Sequence, residues 1–175
     1  MNAIIQAMTE RRSVRKFKPD KVPQDILDQI IQAGLYAASG KGRQSAIIVQ
    51  VTDPGLIAQI SHMNCAIGGW QEGFDPFYGA PAMLIVLADR NIPTYVYDGS
   101  LVMGNIMLAA HALGVGSCWI HRAKQEFESE EGKSILKQLG IEGDYEGIGH
   151  CALGYADGEI PAPAKRFDKR IFTAK

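Results

Sequence analysis

The chain has 175 residues and a mass of 19.1 kDa, and 46% of its residues are hydrophobic and 21% charged. This length and composition predict one folded domain with a hydrophobic core, and they exclude a collagen-like or disordered chain. The longest apolar stretch, near Met83–Ala88, is too short to form a membrane-spanning helix.

The charges are unevenly distributed along the chain. The net charge is only −1, yet residues 1–22 carry six basic and two acidic side chains, and residues 162–175 carry five basic and one acidic. Each end is therefore +4, which leaves −9 for the residues between them. Such a pattern fits either a solvated surface or two basic segments that share an anionic ligand.

The three cysteines, Cys65, Cys118 and Cys151, form neither a CxxC pair nor a zinc-site spacing. They predict reduced thiols in a reducing compartment. The first residues, MNAIIQAMTERR, lack the apolar run and cleavage site of a signal peptide. We therefore expect a cytoplasmic protein without a metal site.

The hydrophobic pattern predicts alternating helices and strands in chain order. A helix begins at Pro23 and ends near Gly40, and the β-branched segment 46–51 predicts a strand. The remaining predictions are a helix from Asp53 to about Met63, a strand over 83–88, a buried helix over 98–113, a strand over 118–121, an amphipathic helix over 129–139 and a strand over 147–155. Alternation by itself favours a parallel, doubly wound sheet. No GxGxxG or P-loop motif follows a predicted strand, so the sequence gives no basis for nucleotide binding of either kind.

The segment Glu10–Phe17, with the sequence ERRSVRKF, is a candidate anion site. It places three arginines and Ser13 within five positions, and a guanidinium donates paired hydrogen bonds that match a phosphate group. A solvated helix end explains the same pattern equally well.

This segment resembles the N-terminal signature of the FMN-dependent nitroreductase family, in which an Arg-x-Ser-x-Arg/Lys pattern binds the flavin. Further stretches resemble that family in the same order along the chain. They are the loop Ala37–Gln44 (AASGKGRQ), the helix and strand within Gly99–His121, and the closing segment with Gly154–Tyr155 and Lys165–Arg166. The resemblance covers nearly the whole chain.

The resemblance implies an α+β fold, in which helices flank a central mixed, mostly antiparallel sheet, and it replaces the parallel sheet expected from alternation. It also implies a single FMN-binding domain over residues 1–175 that forms an intertwined homodimer. The basic tail, residues 156–175, is expected to reach the partner subunit.

The resemblance assigns each candidate binding residue to a part of the flavin. The residues expected at the FMN phosphate are Arg11, Arg12, Ser13, Lys165 and Arg166. Arg15 is expected near the N1/O2 edge of the ring system, where reduction builds negative charge. Ser39 and Gln44 are expected to contact flavin across the dimer interface, and the main-chain amide at Ile120–His121 to face N5.

Two positions depart from the family pattern. Gly42 stands where the family has asparagine, and Ser45–Ala46 where it commonly has Pro-Trp. One flavin hydrogen bond and some packing are therefore expected to be missing, with Lys41 or Arg43 as candidates to replace them.

The activity implied is that of an FMN-dependent oxidoreductase that uses NAD(P)H. Ping-pong hydride transfer through flavin N5 would reduce a small electron-poor acceptor, such as a nitroaromatic, a quinone or an activated alkene. Because this chemistry belongs to the cofactor, no catalytic side chain is expected. A non-catalytic flavin-binding module for storage or redox sensing is the alternative, and a polyanion-binding protein is a third, less favoured interpretation.

Other chemistry-bearing residues have structural interpretations. The glycine-rich segment 65–81, which contains Trp70, Phe74, Phe77 and Tyr78, suits either a lid over the flavin or a surface loop anchored by its rings. His150 has no carboxylate or cysteine at a ligand spacing in the sequence. The acidic run over 126–131 predicts the first turn of the helix that follows it.

Overall fold

A computed structural model describes residues 1–174, and Lys175, the last residue of the basic tail, lies outside the described residues. The helices are α1 (Ala3–Glu10), α2 (Gln24–Leu35), α3 (Pro54–Gly68), α4 (Tyr95–Ala112), α5 (Ala123–Glu128) and α6 (Glu130–Gln138). The strands are β1 (Ala46–Val51), β2 (Ala82–Asp89), β3 (Gly116–Ile120) and β4 (Tyr145–Gly154). Within residues 1–174 no helix is long and apolar enough to cross a membrane.

The strands form one sheet in the order β1-β2-β4-β3, with antiparallel pairing throughout. The parallel-sheet prediction is wrong, and the α+β architecture implied by the family resemblance is confirmed. The parallel prediction failed because helices cover both faces of the sheet. A central strand such as β2, buried along almost its whole length, then has the unbroken apolar sequence that parallel strands also have.

The helices pack against the sheet in two layers, each with its own hydrophobic core. Helices α2 and α4 cover one face, where Leu27 and Ile106 contact one set of alternating β2 residues. Helices α3, α5 and α6 cover the other face, where Ile60, Phe127 and Ile135 contact the other set. Alternate side chains of β2 therefore point to opposite faces of the sheet and contribute to both cores.

Two helices were not predicted, for different physical reasons. Helix α1 has apolar Ile4 and Met8 one turn apart, but it is only eight residues long, which is shorter than the stretch over which helical periodicity is recognised. Helix α5 is only six residues long and begins after Arg122, which has a left-handed φ of 83°. Helix α3 also runs beyond Met63 to Gly68, because it ends only where Gly69 adopts a left-handed φ of 66°.

A short segment after α1 lies between the start of β3 and the chain that follows β4. The Val14 amide donates to the Ser117 carbonyl over 2.9 Å, and the Lys18 amide donates to the Tyr155 carbonyl over 2.8 Å. Gly116 permits this approach, because a Cβ there would lie 2.9 Å from Val14 Cγ2. Arg11–Lys18 is therefore attached to the sheet by its main chain.

Substitution of Gly116 tests this packing. Gly116→Ala is expected to lower the free energy of unfolding by about 1–3 kcal/mol, because the added methyl overpacks the contact with Val14. Gly55→Ala, where a Cβ would meet only the Asp53 carboxylate at 3.2 Å, is the control and should have a smaller effect. Urea unfolding measures both, and equal stabilities would show that the contact is not tight.

Candidate functional site

Three buried polar atoms lack partners where Arg11–Lys18 meets β3. Within residues 1–174, Arg11 Nη1, Arg12 Nε and Ser117 Oγ have no hydrogen-bond partner. All three residues line a cleft of about 190 Å³, together with His111. A buried donor without a partner is costly, so this cleft offers a guanidinium and a hydroxyl to an anion.

Ser13 and Arg15, on the segment Arg11–Lys18, lie beside the start of β3. Ser13 forms a bridge to Ser117, and both Ser13 and Arg15 act on the thiol of Cys118, the next residue along the strand. Burial raises the pKa of Cys118, while Arg15, a hydrogen bond from Ser13 and Arg11 oppose that rise. The structure thus brings Arg11, Ser13 and Arg15 together beside one strand, with Arg15 exposed at its surface.

The Arg12 guanidinium is hydrogen-bonded to main-chain carbonyls at the end of α1. Its Nη1 donates to the carbonyls of Thr9 and Arg11, each over 2.7 Å. These bonds tie the guanidinium to the carboxyl end of α1, where a cation is favourable. Arg12 still lines the cleft, but part of its donor capacity is already occupied.

Strand β3 runs from this anion cleft to the main chain at Ile120–His121, which the family resemblance predicts to face the flavin ring. Four residue steps separate Ser117 from His121, which corresponds to about 13 Å along a strand. Ile120 is buried and His121 is exposed. A ligand with an anionic group at Ser117 and an extended chain could therefore place a second group beside the main chain at Ile120–His121.

A buried network fixes the end of β3. The side-chain amide of Asn64, in α3, donates to the His121 carbonyl over 2.8 Å and also to Glu126. Glu126 in turn contacts His150 Nε2, and all three side chains are fully buried. The sequence analysis missed this network, since it placed Glu126 in the first turn of α6 and found no partner for His150. Pairing across 24 residues leaves no local signal that could have revealed it.

The aromatic residues of segment 65–81 divide into two groups. Phe77 is 1% exposed and Tyr78 is partly buried against the same core, so both anchor the segment. Trp70 and Phe74 remain 39% and 42% exposed. The Arg122 guanidinium lies 4.3 Å from the Trp70 ring centroid, a cation–π contact next to His121. The anchors agree with the surface-loop interpretation, and the lid remains a prediction.

The loop that carries Ser39 and Gln44 is organised by a buried carboxylate that sequence reasoning missed. Asp98, in α4, accepts hydrogen bonds from the Gly40 amide over 2.9 Å, Ser45 Oγ over 2.7 Å and Thr94 Oγ1 over 3.1 Å. Burial favours the neutral acid, but these three donors outweigh it and lower the pKa of Asp98. Polar residues far apart in sequence converge on a single helix position, so only the fold reveals the role of Asp98.

Within this loop, Ser39 Oγ accepts a hydrogen bond from the Gln44 amide over 3.0 Å. Lys41 and Gln44 both adopt left-handed backbone conformations, with φ of 54° and 49°. The structure therefore brings Ser39 and Gln44 together. It places them in a pocket formed with α2 and α4, however, and not in the cleft that contains Arg11.

The basic tail does not bring its candidate residues to the cleft within one chain. Ile160 lines the cleft, but Lys165 and Arg166 are exposed, and Arg166 donates only to the neighbouring Ala164 carbonyl among the described residues. Phe167 and Phe172 are 84% and 89% exposed. The tail therefore extends away from the domain with large apolar side chains uncovered.

The family model described as the Nitroreductase family matches residues 8–155, a range that includes the arginine segment, the loop, β3 and β4. The chain belongs to the nitroreductase family. Its resemblance at Arg11–Phe17 is thereby confirmed as a family relationship.

Relatives agree with this membership. A nitroreductase with bound FMN from Desulfitobacterium hafniense superposes with a TM-score of 0.89 at 26% identity, over 99% of this chain and 100% of that one. A protein from Archaeoglobus fulgidus, provisionally named an NADH dehydrogenase/NAD(P)H nitroreductase, is 26% identical over 167 residues, 91% of this chain and 88% of its own. A protein of the same name from Methanothermobacter thermautotrophicus is 28% identical over 120 residues, 66% of this chain, and the match spans 59% of that relative's length.

Replacement of Asp98 tests its role in the loop. Asp98→Asn is expected to lower the free energy of unfolding at neutral pH by about 1–3 kcal/mol, because one carboxylate oxygen becomes a donor facing other donors. Since the pKa of Asp98 is lowered in the fold, the carboxylate contributes stability above its ordinary value of 3.8 and loses it as pH falls through the folded value. Unfolding between about pH 3 and pH 7 should show the difference from wild type shrinking in acid.

Asp25→Asn is the matched control, because it removes one exposed carboxylate from the first turn of α2 without touching the loop. A pH-independent difference between Asp98→Asn and wild type would contradict the assigned role.

Proposed function

We propose that this nitroreductase-family protein is an FMN-dependent, NAD(P)H-using oxidoreductase. The observation that carries the proposal is the pair of buried, unpartnered groups, Arg11 Nη1 and Ser117 Oγ, at one end of β3. Bound FMN would supply two-electron transfer from NAD(P)H to a small electron-poor acceptor such as a nitroaromatic, a quinone or an activated alkene. The D. hafniense relative binds FMN, and the two archaeal relatives carry an NAD(P)H nitroreductase name, which supports this assignment.

The donor set fits the phosphate of FMN. A guanidinium is a fixed cation with paired donors, and the Ser117 hydroxyl adds a short neutral donor in the same cleft, while Ser13 and Arg15 line a neighbouring cleft that shares Val14 with it. Each donor satisfied by phosphate oxygen removes the cost of a buried polar group without a partner. Arg11 and Ser117 would therefore hold the phosphate, with Ser13 reaching it from the neighbouring cleft and Arg12 contributing the donors of Nε and Nη2.

The other end of β3 would orient the ring system. The main chain at Ile120–His121 offers polar groups at a distance that leaves room for an extended polyol chain. Arg15 is exposed on the segment Arg11–Lys18. It would place a positive charge near the edge of the flavin ring where reduction builds negative charge. The exposed rings of Trp70 and Phe74, which meet edge to face, would form an apolar border against which an aromatic acceptor could pack.

We also propose that two copies complete the site. Ser39 and Gln44 line a pocket distinct from the Arg11 cleft, so they would serve the flavin held by the partner subunit. The exposed apolar side chains of the tail, with those of Ile4 and Met8 in α1, would be covered by the second copy. Lys165 and Arg166 would reach a phosphate site only in that assembly.

A non-catalytic flavin-binding module is the alternative function. It uses the same anion cleft but has no need for rapid reduction. Mixing oxidised, FMN-loaded protein with NADH or NADPH in a stopped-flow instrument distinguishes the two, because a storage module would be reduced slowly with both.

The cofactor prediction is tested by purification. Wild-type protein is expected to be yellow and to release FMN when denatured. Arg11→Ala should weaken FMN binding by about 10- to 100-fold, because a charge-assisted hydrogen bond contributes about 1.5–3 kcal/mol. The control is Lys137→Ala, which removes an equal charge from the last turn of α6. Colourless wild-type protein that fails to bind added FMN would refute the proposal.

Arg15 makes a separate prediction about redox potential. Arg15→Ala should retain FMN better than Arg11→Ala does, yet make the two-electron potential of bound FMN more negative by on the order of 30 mV, which corresponds to ~1.4 kcal/mol. Spectroelectrochemical titration of the loaded protein measures this shift. An unchanged potential would remove the electronic role from Arg15.

A further inference from the structure

Asn64, Glu126 and His150 form a polar network inside an otherwise hydrophobic core. Each side chain is 0% exposed, and each comes from a different element: α3, α5 and β4. The His150 ring makes edge contacts with Phe77 and tilted contacts with Phe127, at centroid distances of 5.3 and 6.0 Å. Water is therefore excluded from the network by aromatic rings.

The donors and acceptors of the network fit one arrangement. A side-chain amide has two N–H hydrogens, and Asn64 directs one to the His121 carbonyl and the other to Glu126 Oε1. The second Glu126 oxygen contacts His150 Nε2, and the tautomer of His150 sets which of the two groups donates. Glu126 thus fixes the Asn64 amide, and the Asn64 amide fixes the main-chain carbonyl of His121.

The fixed carbonyl lies at a sharp turn of the chain. Ile120, the last residue of β3, pairs directly with His150 on β4. The next carbonyl, that of Arg122, accepts the first hydrogen bond of α5 from the Glu126 amide over 3.0 Å, and Arg122 has a φ of 83°. The peptide groups on both sides of His121 are therefore held in place by the same three elements that carry the network.

Burying this polar network costs free energy. Asn64 Oδ1 and His150 Nδ1 are buried and have no hydrogen-bond partner within residues 1–174. A carboxylate and an imidazole are costly to bury, and hydrophobic residues of similar volume often stabilise a core at least as well. Buried polar networks instead specify one geometry, and the carbonyl specified here belongs to His121, the residue whose main-chain amide is expected to face the flavin ring.

We propose that Asn64 is a positioning residue, held by Glu126 and His150, that fixes the His121 main chain in the orientation that bound FMN requires. This inference rests on the proposed function. The network is internal to the fold, because its hydrogen bonds join residues of this chain to one another. Its effect is to reduce the conformational freedom that FMN binding would otherwise have to remove.

Two variants separate the charge of the network from its contact with His121. Glu126→Gln keeps an oxygen that accepts from Asn64, and its amide donates to His150 Nε2 when the single imidazole proton is on Nδ1, so it removes the ionisable carboxyl group but retains the link to His121. Adding Asn64→Leu, which has the same branched heavy-atom shape, breaks that link without leaving an unpaired buried carboxylate. The comparison between Glu126→Gln and the double variant therefore isolates the Asn64–His121 hydrogen bond.

Two measurements read out the link. Amide hydrogen exchange of the FMN-free proteins should be faster in the double variant than in Glu126→Gln over the end of β3 and the start of α5. FMN titration followed by flavin fluorescence should give affinity within about threefold of wild type for Glu126→Gln, but at least tenfold weaker for the double variant, a change of ~1.4 kcal/mol. The visible absorption bands of bound FMN should also shift in the double variant alone.

A stability control distinguishes positioning from general destabilisation. Leu27→Ala removes buried volume from α2 on the opposite face of the sheet and should lower the melting temperature without changing exchange at His121 or FMN affinity. If the double variant behaves like Leu27→Ala in both measurements, the inference is wrong and the proposed function stands. Faster exchange with unchanged FMN affinity also overturns it. If wild-type protein binds no FMN, the proposed function itself fails.

Discussion

The site depends on the attachment of Arg11–Lys18 to the sheet through main-chain hydrogen bonds. Val14 donates to Ser117 and Lys18 donates to Tyr155, so the segment joins the start of β3 to the chain after β4. Because these hydrogen bonds join backbone groups, they position the segment without engaging its side chains. The side chains of Arg11, Ser13 and Arg15 are then free to face an anion beside β3, and they have a defined spacing before any ligand arrives.

Two buried carboxylates organise the rest of the site from within the fold. Asp98 gathers a main-chain amide and two hydroxyls and so shapes the loop with Ser39 and Gln44. Glu126 orients a side-chain amide that holds the His121 carbonyl. Neither carboxylate faces the cleft itself. In both places a buried carboxyl group defines the position of a main-chain segment, while other residues line the clefts.

Sequence reasoning succeeded where the signal is local and failed where it depends on distant pairing. The four strands and the helices α2, α4 and α6 contain unbroken or periodic apolar stretches, and the cluster of arginines near Ser13 is contiguous. Helix α1 is only eight residues long and buries no side chain, so its few apolar residues form a weak pattern. Asp98 lies 58 residues from Gly40, and Glu126 lies 62 residues from Asn64, so their roles follow from the antiparallel topology that periodicity alone had misjudged.

The position of Ser13–Phe17 along β3 has a consequence for the behaviour of the protein in concentrated solution. Strand β3 is at the edge of the sheet, and its outer side is covered there by the bridge between Ser13 and Ser117. An uncovered edge strand presents free amides and carbonyls that can pair with another chain. Loosening this segment would therefore expose an aggregation-prone edge as well as an incomplete anion site, so selection for cofactor retention and selection against aggregation act on the same residues.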